Sequence, residues 1–232
     1  MGSDWAASAL SWWRDAGVDT IVGEEPRNWL APPQKQAPTA SEPAAAPMPQ
    51  TLDAFQAWLR DSPDLPFASP TAPRVGPSGD PACGLMILVD MPSVEDAAAG
   101  QLLSGPAGAL FDRMLNAMEG RTRDDIYLAP LSPVRSASGA IDPRSAATLA
   151  EIARHHVGLV RPKALLLFGD ACAKALVGSA VAGARGRWHD LETPVGPIKT
   201  LVTIRPEKLL QQPALKSLAW ADLQMLMEGC KS

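Results

Sequence analysis

The chain has 232 residues, 46% of them hydrophobic and 20% charged, and a net charge of -4, which is enough apolar material for one substantial core plus tails. It has no run of about eighteen uncharged apolar residues, and it opens on acids and tryptophans rather than on a basic region followed by an apolar stretch. Both facts argue against a membrane span or secretory signal and lead us to expect a cytoplasmic protein. Three widely spaced cysteines, Cys83, Cys172 and Cys230, contain no C-x-x-C pair; they are too few for a disulfide framework or a four-thiolate cluster, so reduced structural thiols are expected.

Charge is uneven along the chain. Residues 1–153 carry 10 Lys/Arg against 19 Asp/Glu, whereas residues 154–216 carry 10 against 4. Nucleic acid, if bound, should meet the second region, the alternative being an ordinary solvated basic surface.

In chain order, Leu10, Trp13 and Ala16 before Gly17 predict a short helix closed by a left-handed cap. A lone helix of three or four turns is marginal in water, so Trp5, Trp12, Trp13 and the nearby Trp29 should bury against either the rest of the chain or a partner. Pro32 to Pro49 holds six prolines among Ala, Gln and Ser; lacking large apolar side chains, it is expected to be an extended linker. The predicted organisation is therefore a Trp-rich docking peptide over 1–30, a linker over 31–50 and one domain over 51–232.

Within that domain Thr51 can cap a helix carrying Leu52, Phe55 and Leu59, and GPSGDPACG, which lacks the G-K-[ST] ending of a phosphate loop, reads as a turn. Leu85–Val89 has the composition of a buried strand, Ala107–Met118 of a helix and Ile126–Ala129 of a second strand. Asp142-Pro143 is a cap plus first helical residue opening a helix to Val160, Ala164–Phe168 is a third strand, and Asp170 is placed to cap a helix to Leu176. Lys199–Ile204 is a fourth strand, and Pro213 opens the last helix. Apolar strands alternating with amphipathic helices predict a three-layer α/β/α fold around a mostly parallel four-stranded sheet. Ligands of such sheets sit beyond the strands' carboxyl ends, here after Val89, Leu128, Phe168 and Ile204.

VDMPSVEDAAAGQLLSGPAGALFDRML, IYLAPLSPVR, ARHHVGLVRPKALLLFGDACAKALVG and ARGRWHDLETPVGPIKTLVTIRPEKLLQQPALKSLAWADLQ follow one another from Leu85 to Leu223. In this order they resemble the motifs of the uracil-DNA glycosylase superfamily, most closely its bacterial iron-sulfur type. The resemblance implies that type's fold and a site that holds a flipped base, polarises its oxygen and directs water or negative charge at the sugar. It also implies an acid after the first strand, an aromatic that stacks on the base, an asparagine that reads its edge and a histidine in an H-P motif.

The chain departs from that pattern at most of these positions. Asp90 stands at the acid, where it could activate water or, alternatively, act as a strand-end acid capping the next turn. Met91 and Pro92 complete that strand end as base-pocket candidates. Leu103 aligns with the aromatic, removing a stacking face worth roughly 1 to 3 kcal/mol per base. Pro130 aligns with the asparagine and offers neither a side-chain amide nor a backbone donor. Arg205, followed by Pro206, aligns with the histidine; it is either a fixed cation for a leaving base or phosphate, or an exposed surface arginine. The cluster cysteines have no counterparts, Val134 standing at one of their positions, so no iron-sulfur cofactor is expected. His155 and His156 are adjacent and point about 100 degrees apart on a helix, so they cannot share a metal; His189 fits packing or phosphate contact, and no metal site is expected.

Arg185, Gly186 and Arg187 resemble the family's R-G loop, and Lys208 with Leu209 lies in the region that wedges into duplex, implying weak, salt-sensitive DNA binding. At the chain's ends, GVDTIVGEEP and PALKSLAWADLQ are similar to parts of the bacterial clamp loader's psi subunit, a catalytically empty relative of the glycosylase fold. Two expectations follow. One is a non-catalytic member serving replication or repair by binding DNA or a protein partner, with residues 4–30 as its hook. The other is an active glycosylase for uracil or another damaged base, with Asp90 activating water and Arg205 stabilising the leaving base.

Overall fold

The structure, a computed structural model, describes residues 48–230. The helix expected before Gly17, the tryptophans Trp5, Trp12, Trp13 and Trp29 and nearly all of the linker lie outside the described residues.

Helix α1 (Leu52–Asp61) starts after Thr51, whose side chain makes no capping hydrogen bond, and buries Phe55 and Leu59 against Leu65 and Ile152. Gln56 on the same helix donates to the Tyr127 hydroxyl at 2.8 Å, and that hydroxyl lies 2.9 Å from His156 Nε2. This buried polar chain satisfies groups that would otherwise be costly to enclose.

The glycine-rich segment is more than a turn. It contains a two-residue strand, β1 (Ser78–Gly79), and a single 3-10 turn at Pro81–Cys83 whose Ala82 N–H is accepted by Asp80. Strand β2 (Leu85–Val89) and strand β4 (Ala164–Phe168) are buried at every residue. Between them come α2 (Val94–Ala99), α3 (Gly105–Ala117), β3 (Tyr127–Pro130) and α4 (Pro143–Val160). After β4 follow α5 (Asp170–Val177), α6 (Val181–Ala184), β5 (Trp188–Thr193), β6 (Gly196–Thr203), α7 (Pro206–Gln211) and α8 (Lys216–Gly229).

The sheet runs β1-β3-β2-β4-β6-β5. Its four central strands are parallel and are the four that the sequence predicts. The sheet nevertheless has six strands, because β1 pairs antiparallel with β3 and β5 with β6 at the edges. Both edge strands lack a fully apolar run: β1 is two exposed residues, and only Leu191 of β5 is buried.

Alternation along β2 splits the core into two layers, as the period of two requires. Met86 and Leu88 pack with Leu149, Ala153 and Val157 of α4 and Cys172 and Leu176 of α5. Leu85, Ile87 and Val89 pack with Phe111 and Leu115 of α3 and Leu223 and Leu226 of α8. Asp142 caps α4 as expected, accepting from the Arg144 and Ser145 N–H groups. Asp170 is the first residue of α5 rather than its cap, and its carboxylate accepts from Val181 N–H at the start of α6, at 2.8 Å. Pro213 opens a 3-10 turn, with α8 beginning at Lys216. Among the described residues no helix is long and apolar enough to cross a membrane.

Candidate functional site

The ends of the parallel strands converge on a cleft of about 450 Å³ lined by Asp90 and Met91 after β2, Arg135 and Gly139 after β3, Asp170 after β4, and Arg205, Glu207 and Lys208 after β6. That is the carboxyl edge at which a doubly covered parallel sheet places its ligands. Four cations, Arg135, Lys174, Arg205 and Lys208, share the lining with three acids, Asp90, Asp170 and Glu207.

Asp90 is held mainly by α5, the helix that follows the neighbouring strand β4. Its Oδ1 accepts from the Cys172 N–H at 2.8 Å, so the carboxylate caps α5, a helix 82 residues further along the chain, rather than the next turn. This takes the place of Asp170, which has turned to α6. The approach depends on Gly169, at φ 113: a methyl there would fall onto the Asp90 carboxylate. Burial pushes the Asp90 pKa up from its ordinary value, against the lowering effects of the Cys172 and Ala171 groups and the Arg205 guanidinium. Oδ2 is left to Arg205 Nη1, 3.9 Å away, and to the cleft.

Arg205 stands at the N-cap of α7. Its side chain is 46% exposed, and its Nε lies 3.8 Å from Glu207 Oε2. That oxygen is buried without a hydrogen-bond partner. Burial raises the Glu207 pKa, the nearby Asp96 and Asp90 charges add to the rise, and Arg205 opposes it. The sequence reading missed Glu207; its position one residue after Arg205-Pro206, in the first turn of a helix at a strand end, is the signal that could have found it.

Beside this pair the space expected for a stacked base is nearly closed. A cavity of about 10 Å³ lies between Val89, Asp90, Met91, Asp96, Leu103, Phe168, Arg205 and Glu207, room for about one water. Leu103 is buried with a left-handed backbone at φ 51. Its carbonyl and that of Leu102 accept from Arg123 Nη2 and Nη1 at 2.7 and 2.9 Å, while Arg123 Nε donates to Asp112 at 2.7 Å. Gly108 lets α3 approach that turn, since a methyl there would strike the Leu103 carbonyl. Asp96 ties the same loop down, accepting from Ser93 N–H at 3.0 Å and Ser104 N–H at 2.6 Å. Phe168 is the aromatic at this point, and its ring is buried edge-on against Phe111 at 5.9 Å.

The remaining candidates separate. Met91 lines both the cleft and the small cavity. Pro92 and Pro130 are buried behind them and line neither; the Pro92 carbonyl accepts from Arg135 at 3.2 Å. Arg185 is engaged internally, donating to Asp222 at 2.9 and 3.1 Å and to the Leu218 carbonyl at 2.6 Å. Gly186, at φ 76, turns the chain so that Arg187 is exposed. Lys208 is exposed and lines the cleft. Leu209, expected at the wedge, is instead in the core, because α7 turns it towards α3 and α8; the exposed leucine of α7 is Leu210.

No group of three or more His, Cys, Asp or Glu side chains that could hold a metal occurs among the described residues. A four-thiolate cluster does not fit the donor set. Cys83 donates its thiol to the Leu85 carbonyl, Cys172 is buried against Asp90, and Val134 is a core residue.

A mostly parallel sheet covered by helices on both faces, with its cleft and Asp90 at the carboxyl ends of the parallel strands, places the chain in the three-layer α/β/α class. The chain belongs to the uracil DNA glycosylase superfamily, whose family model matches residues 77–224. Among individual proteins it is similar to the type-4 uracil-DNA glycosylase of Pyrobaculum aerophilum, with 23% identity over 159 residues that span 65% of this chain and 80% of that relative.

Proposed function

We propose that the chain is a non-catalytic superfamily member that acts in DNA repair or replication by binding DNA weakly and holding a protein partner. The observation that carries this reading is the cavity of about 10 Å³ at the stacking position, closed by Leu103 and a buried Phe168. A flipped pyrimidine needs a face to stack on and a donor to read its edge, and neither Leu103 nor Pro130 supplies one. The departing anion meets Arg205, a cation already shared between two carboxylates. Arg187 and Lys208 are left to position phosphate without reading sequence.

A second reading rests on the meeting of Asp90 and Arg205 at the mouth of the 450 Å³ cleft. There a carboxylate with raised pKa and an exposed guanidinium could excise a base that enters from the cleft side. The test is incubation of the full chain with single-stranded and duplex oligonucleotides containing uracil or hypoxanthine, followed by alkali. No strand cleavage above background is expected. Cleavage that disappears in Asp90→Asn would overturn the non-catalytic reading.

The partner hook is assigned to residues 4–30 on their tryptophans and the Pro/Ala segment that follows. Deleting residues 1–30 should leave the melting temperature of the domain unchanged while removing co-purifying proteins; unchanged co-purification would refute it.

A further inference from the structure

Helix α8 is apolar on more than one side. Ala219, Leu223 and Leu226 are buried, yet Leu218 and Trp220 on the same helix are 41% and 38% exposed. A helix on the surface of a domain ordinarily turns charged residues outward, so a large aromatic such as Trp220 exposed among Lys216, Ser217, Gln224 and Glu228 is open to a contact beyond the domain. Between α8 and α3 runs a groove of about 370 Å³, with Leu110, Met114, Ala117, Leu209 and Leu223 along its floor and Trp220 at its side. This volume lies within the range of sites that take up whole side chains.

The groove's rim carries Arg113 and Lys216 and no acid. Both are exposed, and neither has an ion-pair partner among the described residues. Asp112, beside Arg113 in sequence, is occupied by Arg123 at 2.7 Å. An apolar floor between two unpaired cations selects an apolar segment flanked by carboxylates. A second copy of this chain fits poorly, because a two-fold contact sets the same patch against itself and brings the cations together. Nucleic acid would meet the cations but could not use an aliphatic floor.

We propose that the α3/α8 groove docks an amphipathic helix of another protein, with Leu- or Phe-type anchors on one face and Glu or Asp flanking them. The groove is distinct from the strand-end cleft, since α7 turns Lys208 into the cleft and Leu209 into the groove. It stands whether or not the chain excises a base. Trp220 is the anchor wall, the residue type that dominates such contacts.

The test uses the full chain and a fluorescein-labelled synthetic helix with Leu at positions i, i+3, i+4 and i+7 and Glu on both flanks. A counterpart carries Lys in place of Glu. Anisotropy should show saturable binding of the acidic helix, weakened by about tenfold or more in Trp220→Glu and in the Arg113→Glu/Lys216→Glu double variant. Binding should also weaken with added salt. Circular dichroism of each variant checks that it is folded, and Trp220→Ala serves where Trp220→Glu is not. No binding of the acidic helix, equal binding of the basic one, or binding unaffected by these substitutions would each overturn the proposal. So would a concentration-dependent dimer lost in Trp220→Glu, which would assign the groove to self-association. Displacement of the helix by a single-stranded oligonucleotide would reassign it to nucleic acid.

Discussion

Glu207 carries a carboxylate oxygen that is buried, has no hydrogen-bond donor and faces Arg205 at 3.8 Å. Its pKa is raised in the folded chain above its ordinary value of 4.5. The sign follows from linkage. A raised folded pKa means that the native state takes up a proton more readily than the unfolded chain, so the cost of burying the ionised group is fully present above the folded pKa and absent below about 4.5. Glu207→Gln should therefore raise the melting temperature at pH 8, and its advantage over the parent should vanish as the pH falls towards 4. Thermal melts of both proteins across that range check it, and a constant difference at all pH values would refute it. The residue scale is also where the sequence was least legible. Asp90 could be picked out as a strand-end acid. That its carboxylate would cap α5 could not, because the contact joins residues 82 apart and needs Gly169 to admit it.

At the scale of elements, Arg185, Thr203 and Asp222 lock three pieces together. Asp222 on α8, 1% exposed in its side chain, accepts from the Thr203 hydroxyl at the end of β6 at 2.8 Å and from Nε and Nη2 of Arg185 at the end of α6. Arg185→Met would leave that carboxylate in the core without its cation, and breaking one side of a buried pair costs about 3 to 5 kcal/mol. Denaturant unfolding should show a loss of that order, whereas Arg187→Ala should change stability by less than about 0.5 kcal/mol. An Arg185 variant that melts like the parent would mean the pair contributes little. The R-G motif showed where the chain turns, but not that its first arginine faces inward. Strands β2, β3 and β4 were legible because each is buried at every residue, and β6 because its second half, Thr200–Thr203, is. The edge strands were not, since both residues of β1 are exposed and only Leu191 of β5 is buried, so their residues read as loop. Asp142-Pro143 marked the start of α4 because capping is local. Leu209 was misplaced because which of two adjacent leucines faces the core depends on how α7 is set against α3 and α8.

For the molecule as a whole, charge decides how the proposed DNA contact would be made. The chain is acidic overall, and its excess of cations lies between residues 154 and 216. Folding gathers part of that excess at the cleft, but it brings Asp90, Asp170 and Glu207 to the same lining. Arg205 is shared with two of these acids, and Arg185 is held by Asp222. Arg187 and Lys208 remain exposed, with Lys174 at the cleft wall, so about two or three phosphates can be neutralised. Each phosphate neutralised contributes roughly -0.9 to the slope of log affinity against log salt on duplex DNA, which sets an expected slope of about -2 to -3. Arg187→Ala and Lys208→Ala should each weaken binding similarly on all sequences and flatten the slope by about 1. Fluorescence anisotropy with a labelled duplex between low and physiological salt measures it. A slope near zero would remove DNA from the set of partners, and a steep slope unaffected by both substitutions would move the contact to another face.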